Sequence, residues 1–563
     1  MQKNWQIKET NVVLQQKLIQ ELQIPSVIAQ LLISRDIFEP GQAQEFLSAD
    51  LSSLHDPFLL KNMNLAVERI KQAKQRDEKV LIFGDYDVDG VTSSVILFKL
   101  LHGLGLEVVN HIPHRMTDGY GLNDGIVELA KTQNIKLLIA VDCGTTSHQE
   151  IQALKSVGIE TIVIDHHEPP EGERPKAIAM INPKQKGCPY PFKYLASAGL
   201  VTKLVQAFLS KIDDNILTLA AIGTIADVAP LIGENRILAK RGLERMNQTK
   251  NKGILALLDL AKIRGKKITP FHVGFIIGPR LNAAGRMDTA HLALDLLLTE
   301  DQGEAYRLAK LLDGHNSDRQ KTQKNIINEA LELVEQEVNF NQEKVIVLNR
   351  EGWHKGVLGI VASRLREKYN RPAIVISTKD GIGTASARSI DGFHIHDALE
   401  QCSEYLESFG GHKGAAGLTI LFDNIDPFRS LINEVAQKTI TVQSLIPNLL
   451  IDSEIPLSGL TTELIEMIDQ MEPFGEGNPT PVFCSRHLMV KSNPVVLGRD
   501  TLKFWVTDGQ ATFSTVGFGM AEYKPIVKIG EPIDLAYQIG IDDWNKAPTV
   551  QLKLKDIKPS AVL

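Results

Sequence analysis

Short apolar runs alternate with polar loops along the first half of this sequence. The runs KVLIFG (79–84), KLLIAV (136–141) and TIVI (161–164) are aliphatic and rich in β-branched residues, as buried parallel strands are. Each run ends in a loop of Asp, Gly or His residues, namely GDYDVDG, DCGTTS and DHHEPP. Because ligands bind at the carboxyl ends of strands in open α/β sheets, the three loops are predicted to converge on one crevice.

A helical region and a long connector follow these strands. The segment NILTLAAIGTIADVAPL presents Asp227 near its end, and Pro230 is a stop signal for the helix. From Asp301 to about Phe340 the chain is polar and helical with few breakers, which predicts a connector between domains.

Two further patterns occupy the rest of the chain. From about Lys344 to Asp423, the strands VIVL and AIVIS, a helix around VLGIVASRLREKY and the glycine cluster GGHKGAAG predict a second α/β domain. Beyond about Leu450, one helix (ELIEMIDQM) is followed by short alternating runs broken by Gly, Asp, Asn and Pro. Such spacing predicts a small barrel or a sandwich, and an OB-type barrel would suit a single-stranded partner.

The composition indicates a globular protein of several domains. The chain has 563 residues, of which 43% are hydrophobic and 23% charged. It has no apolar run long enough to predict a membrane span, and its first residues lack the apolar segment of a secretory signal. We therefore expect a cytoplasmic protein. Four scattered cysteines form no CxxC pair and predict neither a disulfide framework nor a zinc site: Cys143, Cys188, Cys402 and Cys484.

The formal net charge of −7 does not by itself indicate a nucleic-acid binder. The segment from Lys240 to Lys267 is nevertheless rich in Lys and Arg. Such a run is more often a solvated face than a track for phosphates, and the sequence leaves both interpretations open.

The loop GDYDVDG carries three carboxylates on alternate residues, Asp85, Asp87 and Asp89. They repel one another unless a cation neutralises them, and hard oxygen ligands suit Mg²⁺ or Mn²⁺. A calcium loop of the EF-hand type would need a Glu at its twelfth position and a helix before it. Here that position, counted from Asp85, is Ile96, and a strand precedes the loop, which disfavours calcium.

A second candidate metal motif is Asp165-His166-His167. A lone His is usually a satisfied core residue, but this motif follows a strand beside two other acidic loops. The nitrogen ligands of histidine favour Mn²⁺ over Mg²⁺. With Asp142 and Asp227 the set could hold two divalent ions, an arrangement that clamps the attacking and leaving oxygens of a phosphoryl displacement.

Seven motifs together carry a family resemblance. GDYDVDG, VDCG, DHH and ADVAPL, in this order, resemble the DHH phosphoesterase superfamily, whereas GPRLNAAGR, TASARS and GGHKGAAG resemble its RecJ branch and the accessory DHHA1 domain. The resemblance spans about residues 65 to 555. It implies two α/β domains, a DHH domain with a parallel sheet and a DHHA1 domain, joined by a long helix and followed by an all-β OB-like domain. The expected boundaries are an N-terminal helical extension (1–64), the DHH domain (65–265), a connector with the long helix (266–343), the DHHA1 domain (344–448) and the OB-like domain (449–563).

The resemblance also implies roles for individual residues. Five match metal ligands of the family: Asp87, Asp89, Asp142, His166 and Asp227. Four match catalytic positions: Asp85, His167, Arg280 and His412. Three match residues that bind the 5′-phosphate and the backbone: Arg115, Ser386 and Arg388. Without the motifs, each of these Arg residues would be interpreted as part of a surface salt bridge.

Some aromatic residues stay outside this assignment. Tyr120 of GYGL could equally pack its own loop. Five aromatics of the C-terminal region could stack bases, but at strand spacing they are more often core residues: Phe504, Trp505, Phe513, Phe518 and Trp544.

The implied activity is 5′-to-3′ exonuclease action on single-stranded DNA, with release of nucleoside 5′-monophosphates by two-metal hydrolysis, in DNA repair and recombination. The implied cofactors are two Mn²⁺ or Mg²⁺ ions. The implied partner is single-stranded DNA, without sequence specificity and in a groove too narrow for duplex. A single-strand-binding protein and a helicase are candidate protein partners. We expect a monomeric protein that does not bind a membrane.

Two other classes of protein could contain the same motifs. One is a small-molecule phosphohydrolase, such as an inorganic pyrophosphatase or a phosphodiesterase of short oligonucleotides. The length of the chain and its OB-like tail disfavour that class, since a small substrate needs neither. The other is a catalytically inactive DNA-binding scaffold, which the intact set of candidate metal ligands disfavours.

Overall fold

The computed structural model describes residues 3–113, 121–123, 125–170, 172, 174–287, 291–542 and 549–560. The chain divides into two compact units, one of residues 7–315 and 451–563, the other of residues 1–6 and 316–450. In the described part, no helix is long and apolar enough to cross a membrane. The four cysteines are buried free thiols.

One short strand and three helices begin the chain: β1 (Asn4–Ile7), α1 (Val12–Leu22), α2 (Ser26–Ile33) and α3 (Pro40–Ser48). Helix α1 starts where the side chain of Asn11 accepts a hydrogen bond from the backbone N–H of Leu14, at 3.1 Å. Buried residues of these helices, including Leu18 and Ile28, share a hydrophobic core with the C-terminal β domain.

A five-stranded parallel sheet forms the base of the larger unit, in the order β3-β2-β4-β5-β6. Its elements are α4 (Met63–Gln75), β2 (Val80–Gly84), α5 (Val88–Gly103), β3 (Val108–His111), α6 (Ile126–Thr132), β4 (Leu137–Val141), α7 (His148–Ser156), β5 (Glu160–Ile164) and β6 (Ala179–Ile181). Every residue of β2 and β4 is buried, since hydrophobic cores cover both faces of the sheet. The predicted parallel sheet is confirmed, and in it β2, β4 and β5 lie side by side.

Helices complete this part of the larger unit: α8 (Ser197–Leu209), α9 (Asp214–Ala226), α10 (Gly233–Arg245), α11 (Lys252–Leu260), α12 (Pro270–His272), α13 (Gly278–Met287) and α14 (His291–Leu298). A π-helical turn, Val273–Ile277, connects α12 to α13. Helix α9 is buried from Ile216 to Ile225, which explains its apolar sequence, and Asp227 follows as its C-cap.

The long helix α15 (Gln302–Glu337) leads into the smaller unit. The elements that follow are β7 (Ile346–Glu351), α16 (Leu358–Tyr369), β8 (Ala373–Lys379), β9 (Ile382–Arg388), α17 (Ile395–Glu400), β10 (Leu406–His412), β11 (Ala415–Leu421) and α18 (Ile425–Thr439). They form a mixed sheet, β10-β11-β9-β8-β7, in which only β7 and β8 run parallel. The second α/β domain and the long connecting helix are thus confirmed.

The C-terminal region is a β barrel. Strand β12 (Asn448–Ile451) precedes it and pairs with β1 in a separate two-stranded sheet. The elements of the C-terminal region are β13 (Ser453–Glu454), α19 (Thr462–Gln470), β14 (Phe483–Val490), β15 (Val495–Leu497), β16 (Thr501–Thr507), β17 (Thr512–Gly517), β18 (Pro532–Asp542) and β19 (Thr549–Pro559). Strands β14, β18, β19, β17 and β16 pair in that order, and β16 pairs with β14 to close the ring. A closed five-stranded ring is the architecture of an OB fold, as the sequence predicted.

Basic side chains of α10 hold the ends of two other helices. The buried guanidinium of Arg236 donates to the carbonyl oxygens of Phe46, Gln470 and Met471, at 2.8–3.0 Å. The ammonium of Lys240 donates to the carbonyl oxygens of Leu47 and Gln470. These carbonyls belong to the C-terminal ends of α3 and α19, where a cation also complements the helix dipole.

Part of the basic run is therefore occupied within the protein. Four of its other members form ion pairs, Arg241 with Glu244, Arg245 with Asp214, Arg264 with Asp259 and Lys267 with Glu472. For these residues the structure favours a structural role over a phosphate track.

Candidate metal centre

The loops after β2, β4 and β5 bring carboxylates and imidazoles together at one edge of the parallel sheet. Among the described residues, three groups at this edge have possible ligand atoms within 4.8 Å of one another: Asp85, Asp87 and Asp142; Asp89, His166 and Asp227; and Asp142, His166 and His167. Asp142 and His166 each belong to two groups. The seven residues of this domain that the sequence places at or beside the metals thus lie in one cluster.

The first loop is shaped by the start of α5. Asp87 is the N-cap of this helix, and its Oδ1 accepts hydrogen bonds from the backbone N–H groups of Asp89 and Gly90, at 2.9 and 3.0 Å. A Cβ at Gly90 would lie 2.5 Å from the carbonyl oxygen of Asp85, so only glycine lets the helix approach the loop this closely. The close approach places Asp89 in the first helical turn, buried beside Asp85.

The first turn of helix α8 donates hydrogen bonds to two of the carboxylates, Asp89 and Asp142. The backbone N–H groups of Ser197 and Ala198 donate to the two oxygens of Asp89, at 2.7 and 2.9 Å. The hydroxyl of Ser197 donates to Oδ1 of Asp142 at 2.8 Å. The sequence prediction missed Ser197, and the one signal for it is the run of small residues at the predicted start of a helix, Ala196 to Gly199.

The two histidines occupy different positions. Nε2 of His166 lies 3.3 Å from Oδ1 of Asp142, and its Nδ1 lies 3.9 Å from Oδ2 of Asp227. His167 contacts the buried Asp165 through Nδ1, at 2.7 Å, and Asp165 also accepts a hydrogen bond from the backbone N–H of Thr145. His166 therefore lies between carboxylates of different loops, whereas Asp165 fixes the ring of His167.

Backbone strain coincides with the cluster. Asp142 has φ = +63°, and Val228, directly after Asp227, has φ = +60°. A positive φ is uncommon for a non-glycine residue and is a true outlier for a β-branched one such as valine. Residues in such conformations concentrate at functional sites, because the surrounding structure must hold them there.

The electrostatics of the cluster favour a bound cation. Burial, together with the nearby Asp227 carboxylate, raises the pKa of Asp89 to about 7, and burial together with Asp87 raises the pKa of Asp227 to about 7. Burial and neighbouring carboxylates also raise the pKa of Asp142 well above its usual range. Burial lowers the pKa of His166 and keeps its imidazole neutral, as a metal ligand must be. Oxygen-rich donors with neutral imidazoles fit Mn²⁺ or Mg²⁺.

We expect divalent-ion binding to this cluster to strengthen as the pH rises. The folded-state pKa values of Asp89 and Asp227, both about 7, lie above their value of 3.8 for an exposed carboxyl, so the metal-free fold loses stability as the pH rises from about 4 through 7. Below pH 7 an incoming ion must displace these protons, which weakens binding by about tenfold per pH unit for each proton. Above pH 7 the two carboxyls have already lost their protons, so proton displacement no longer weakens metal binding.

The measurement is the rise in melting temperature produced by Mn²⁺ at pH 6, 7 and 8. The rise should be larger at pH 7 than at pH 6 and should level off towards pH 8. An equal rise at all three values would contradict the protonated state of Asp89 and Asp227 in the metal-free protein.

The remaining predicted site residues lie on other elements. On β9, Ser386 and Arg388 point to the same face, and a Cβ at Gly359 of α16 would lie 2.9 Å from Nη2 of Arg388 and 3.7 Å from Oγ of Ser386. Ala415 pairs with both Arg388 and His412, so these two lie in one row across the sheet.

Arg280 and Arg115 complete the predicted set. Arg280 lies on α13 in the larger unit, where it contacts Oδ1 of Asp313 through two nitrogens at 2.9 Å and donates to the carbonyl of Ile276 at 2.8 Å. The salt bridge expected of an isolated Arg is therefore present. Arg115 and Tyr120 lie outside the described residues.

The aromatic residues of the C-terminal region fall into a buried and an exposed group. Phe504 is 1% exposed and belongs to the barrel core, and Phe513 packs against that core. Trp505 and Phe518 are exposed, by 46% and 71%. Trp544 lies outside the described residues.

Three family models match consecutive parts of the chain. The N-terminal domain of the DHH family matches residues 79–224, the DHHA1 domain matches residues 342–438, and the RecJ OB domain matches residues 451–556.

Whole-chain comparisons agree with these matches. The chain is 38% identical over 558 residues to the single-stranded-DNA-specific exonuclease RecJ of Bacillus subtilis, covering 98% of this chain and 70% of that protein. It is 31% identical to the protein of the same name from Escherichia coli, covering 95% and 96% of the two chains. Its fold is similar to the crystal structure of RecJ from Thermus thermophilus in complex with Mn²⁺, with a TM-score of 0.84, 27% identity and coverage of 100% and 80%.

Proposed function

Since this chain belongs to the RecJ family of single-stranded-DNA-specific exonucleases, we propose that it degrades single-stranded DNA from the 5′ end and releases nucleoside 5′-monophosphates. It is a metal-dependent phosphodiesterase of the DHH superfamily, and the family acts in DNA repair and recombination. The direction of cleavage and the size of the product are the parts of the proposal that go beyond family membership.

The observation that carries the proposal is the cluster of carboxylates and imidazoles at the ends of β2, β4 and β5. We assign two divalent ions, Mn²⁺ or Mg²⁺, to five ligands: Asp87, Asp89, Asp142, His166 and Asp227. Such a pair of ions, when bound, activates a water molecule and stabilises the attacking and leaving oxygens of an in-line phosphoryl displacement. Asp142 belongs to two of the ligand groups, so its two carboxylate oxygens would be available to both ions, whereas the neutral imidazole of His166 would hold one.

The residues around the ligands keep them in position for this chemistry. Ser197 and Ala198 fix both oxygens of Asp89, and the Ser197 hydroxyl fixes one oxygen of Asp142. His167 is oriented by Asp165 through Nδ1, and we assign proton exchange with the substrate or water to its Nε2. Burial lowers the pKa of His167, but its contacts with Asp165 outweigh burial and raise the pKa overall, which favours a proton donor. Asp85 would supply further negative charge beside the ions.

Phosphate binding is assigned to residues outside the metal cluster. Ser386 and Arg388 lie together on β9 and present a hydroxyl and a guanidinium, the groups that bind a terminal phosphate. We assign the 5′-phosphate to them and to Arg115, since recognition of that phosphate would set both polarity and register. Arg280 and His412 would neutralise charge on the phosphoryl oxygens. Asp313 and the carbonyl of Ile276 contact all three nitrogens of Arg280, so a phosphate there would bind the remaining N–H groups of Nη1 and Nη2.

The partner that this chain handles is single-stranded DNA, which suits the RecJ OB domain at its C-terminal end. We propose a single-strand-binding protein and a helicase as protein partners, because both deliver single strands. We also propose that the protein works as a monomer in the cytoplasm.

The test uses a single strand of about 20 nucleotides, longer than the usual site of one OB fold, labelled at the 5′ or the 3′ end and incubated with Mn²⁺. The proposal expects immediate release of a 5′-labelled mononucleotide, late release of the 3′ label, and no cleavage of the same sequence as duplex. Release of the 3′ label first would overturn the polarity. Cleavage of pyrophosphate or a dinucleotide without cleavage of the long strand would place the chain among small-molecule phosphohydrolases.

A further inference from the structure

A second group of imidazole and carboxylate side chains lies in the smaller unit, on helix α17. His396, Asp397 and Glu400 offer ligand atoms that all lie within 4.8 Å of one another. Side chains three and four residues apart are neighbours on one face of a helix, so the three can reach a common point. This group is separate from the candidate catalytic metal centre, whose residues belong to the larger unit.

A fourth polar side chain contacts this group. Nδ1 of His394, the N-cap of α17, lies 3.0 Å from Oδ1 of Asp397, and Nδ1 of His396 lies 3.7 Å from the same oxygen. Residues that coordinate a metal are usually contacted by such a neighbour, which fixes the orientation of the ligand. His394 is therefore placed to position Asp397.

The carboxylates of this group have no cationic side chain to neutralise them. Residues 389–412 include five carboxylates and three histidines but no Lys or Arg, and, within the part of the chain that the structure describes, no Lys or Arg from elsewhere pairs with Asp397 or Glu400. On α15, by contrast, Glu304 pairs with Arg307 three residues later. Glu400 also ends α17, where a negative charge opposes the helix dipole, and it lies three residues from a like charge. A bound cation would offset both effects.

The donor set suits zinc. Zn²⁺ binds imidazole nitrogens and carboxylate oxygens, and in sites with three protein ligands a water takes the fourth position. Ligand atoms bonded at about 2.1 Å in a tetrahedron lie about 3.4 Å apart, so small rotations of these side chains would close the group around one ion. An imidazole ligand and the general order of affinities favour Zn²⁺ over Mn²⁺, and Mg²⁺ prefers oxygen ligands alone.

Helix α17 is attached to the turn between β10 and β11. The backbone N–H of Ile395 donates to the carbonyl oxygen of Lys413 at 3.1 Å, and the ring of His396 lies 5.6 Å from the ring of Phe409 on β10. Lys413 directly follows His412, which we assign to the substrate phosphate. An ion on the exposed face of α17 would therefore restrict the motion of a segment that is bonded to this turn.

We propose that His396, Asp397 and Glu400 form a zinc site in which His394 positions Asp397, and that bound Zn²⁺ stabilises α17 and the adjoining turn. The ligand group supplies one nitrogen and at least two oxygens, with a water completing the tetrahedron. The site does not depend on the proposed exonuclease function, because none of its three ligands belongs to the catalytic cluster.

The test counts zinc ions in the full chain. Metal-free protein is titrated with Zn²⁺ by calorimetry in excess Mg²⁺, which the oxygen-rich catalytic cluster can bind. The His396→Ala/Glu400→Gln variant should bind one Zn²⁺ fewer than the wild type, with affinity at this site lowered by at least about 100-fold, because losing a mere orienting partner already lowers affinity by about 10- to 100-fold. The matched control is His102→Ala, which removes an exposed histidine that belongs to no ligand group among the described residues and should keep the wild-type count. Equal counts in the wild type and the double variant would overturn the site.

Two further measurements locate the ion and its effect. Anomalous diffraction at the zinc edge from wild-type crystals should show a peak enclosed by His396, Asp397 and Glu400, and ordered side chains without a peak would overturn the site even if the variant failed to fold. Zn²⁺ should slow amide hydrogen exchange of residues 395–400 in the wild type and in His102→Ala but not in the double variant. Unchanged exchange in the wild type would overturn the stabilising role. No measurement uses DNA, so failure of the zinc site and failure of the exonuclease function are distinguishable.

Discussion

Replacing Asp142 by asparagine is expected to lower the rate of single-strand hydrolysis by at least about 10³-fold, because it removes a charge shared by two groups of candidate metal ligands. Asparagine is the informative substitution. Asp142 has φ = +63°, a conformation that Asn adopts more readily than most residues, and an amide oxygen can still accept the hydrogen bond from Ser197. The backbone and the fold should therefore survive.

The measurement pairs initial rates of 5′-label release with a calorimetric titration of Mn²⁺, and a thermal melt checks the fold. The matched control is Asp259→Asn, the same chemical change in an exposed ion pair with Arg264. That variant should keep wild-type rates. If Asp142→Asn kept more than a tenth of the activity, the metal assignment would be wrong.

Replacing Lys203 by methionine is expected to destabilise the larger unit by about 3–5 kcal/mol, the usual effect of removing one partner of a buried ion pair. Lys203 and Glu234 are fully buried and 3.0 Å apart. Oε2 of Glu234 also accepts a hydrogen bond from the hydroxyl of Tyr190 at 2.5 Å, and its Oε1 accepts one from the backbone N–H of His55 at 3.0 Å. Loss of the ammonium would leave this carboxylate charged in a dry interior.

Chemical denaturation of the Lys203→Met, Glu234→Gln and double variants measures the coupling. The double variant should be more stable than the sum of the two single losses by about 0.5–3 kcal/mol, because it removes both charges. Lys71→Met is the control, since Lys71 pairs with Glu68 on the surface and its loss should change stability by no more than about 0.5 kcal/mol. Strictly additive losses would show that the pair is not coupled.

The sequence predicted the parts of the site that depend on local pattern. Each metal-binding loop follows an apolar run, and the rule that such loops meet at one end of a parallel sheet needs no long-range information. Asp85, Asp142 and His166 were located in this way, as was Asp227 at the end of an apolar helix. The structure brings all of them into one cluster.

Other features depend on approach between distant segments and could not be predicted. Ser197 lies 55 residues from Asp142 and 108 from Asp89, yet it donates to both. Alternation in β16 indicates that Phe504 and Trp505 face opposite sides, but only the closed barrel decides that Phe504 is buried. Phe275 is exposed in a π-helical turn, which the local pattern of apolar residues does not predict.

The hydrogen bonds that Arg236 and Lys240 donate to the ends of α3 and α19 have a consequence for protein engineering. The family models divide this chain into pieces, and that division alone would suggest that the OB region is a removable module. A chain cut at residue 450 would deprive Arg236 of its acceptors on Gln470 and Met471 and leave a buried guanidinium donating only to Phe46. The N-terminal helices would also lose the barrel residues with which they form a common core. The barrel therefore stabilises the helices that pack against it, and a chain cut at residue 450 is expected to melt at a lower temperature than the full chain.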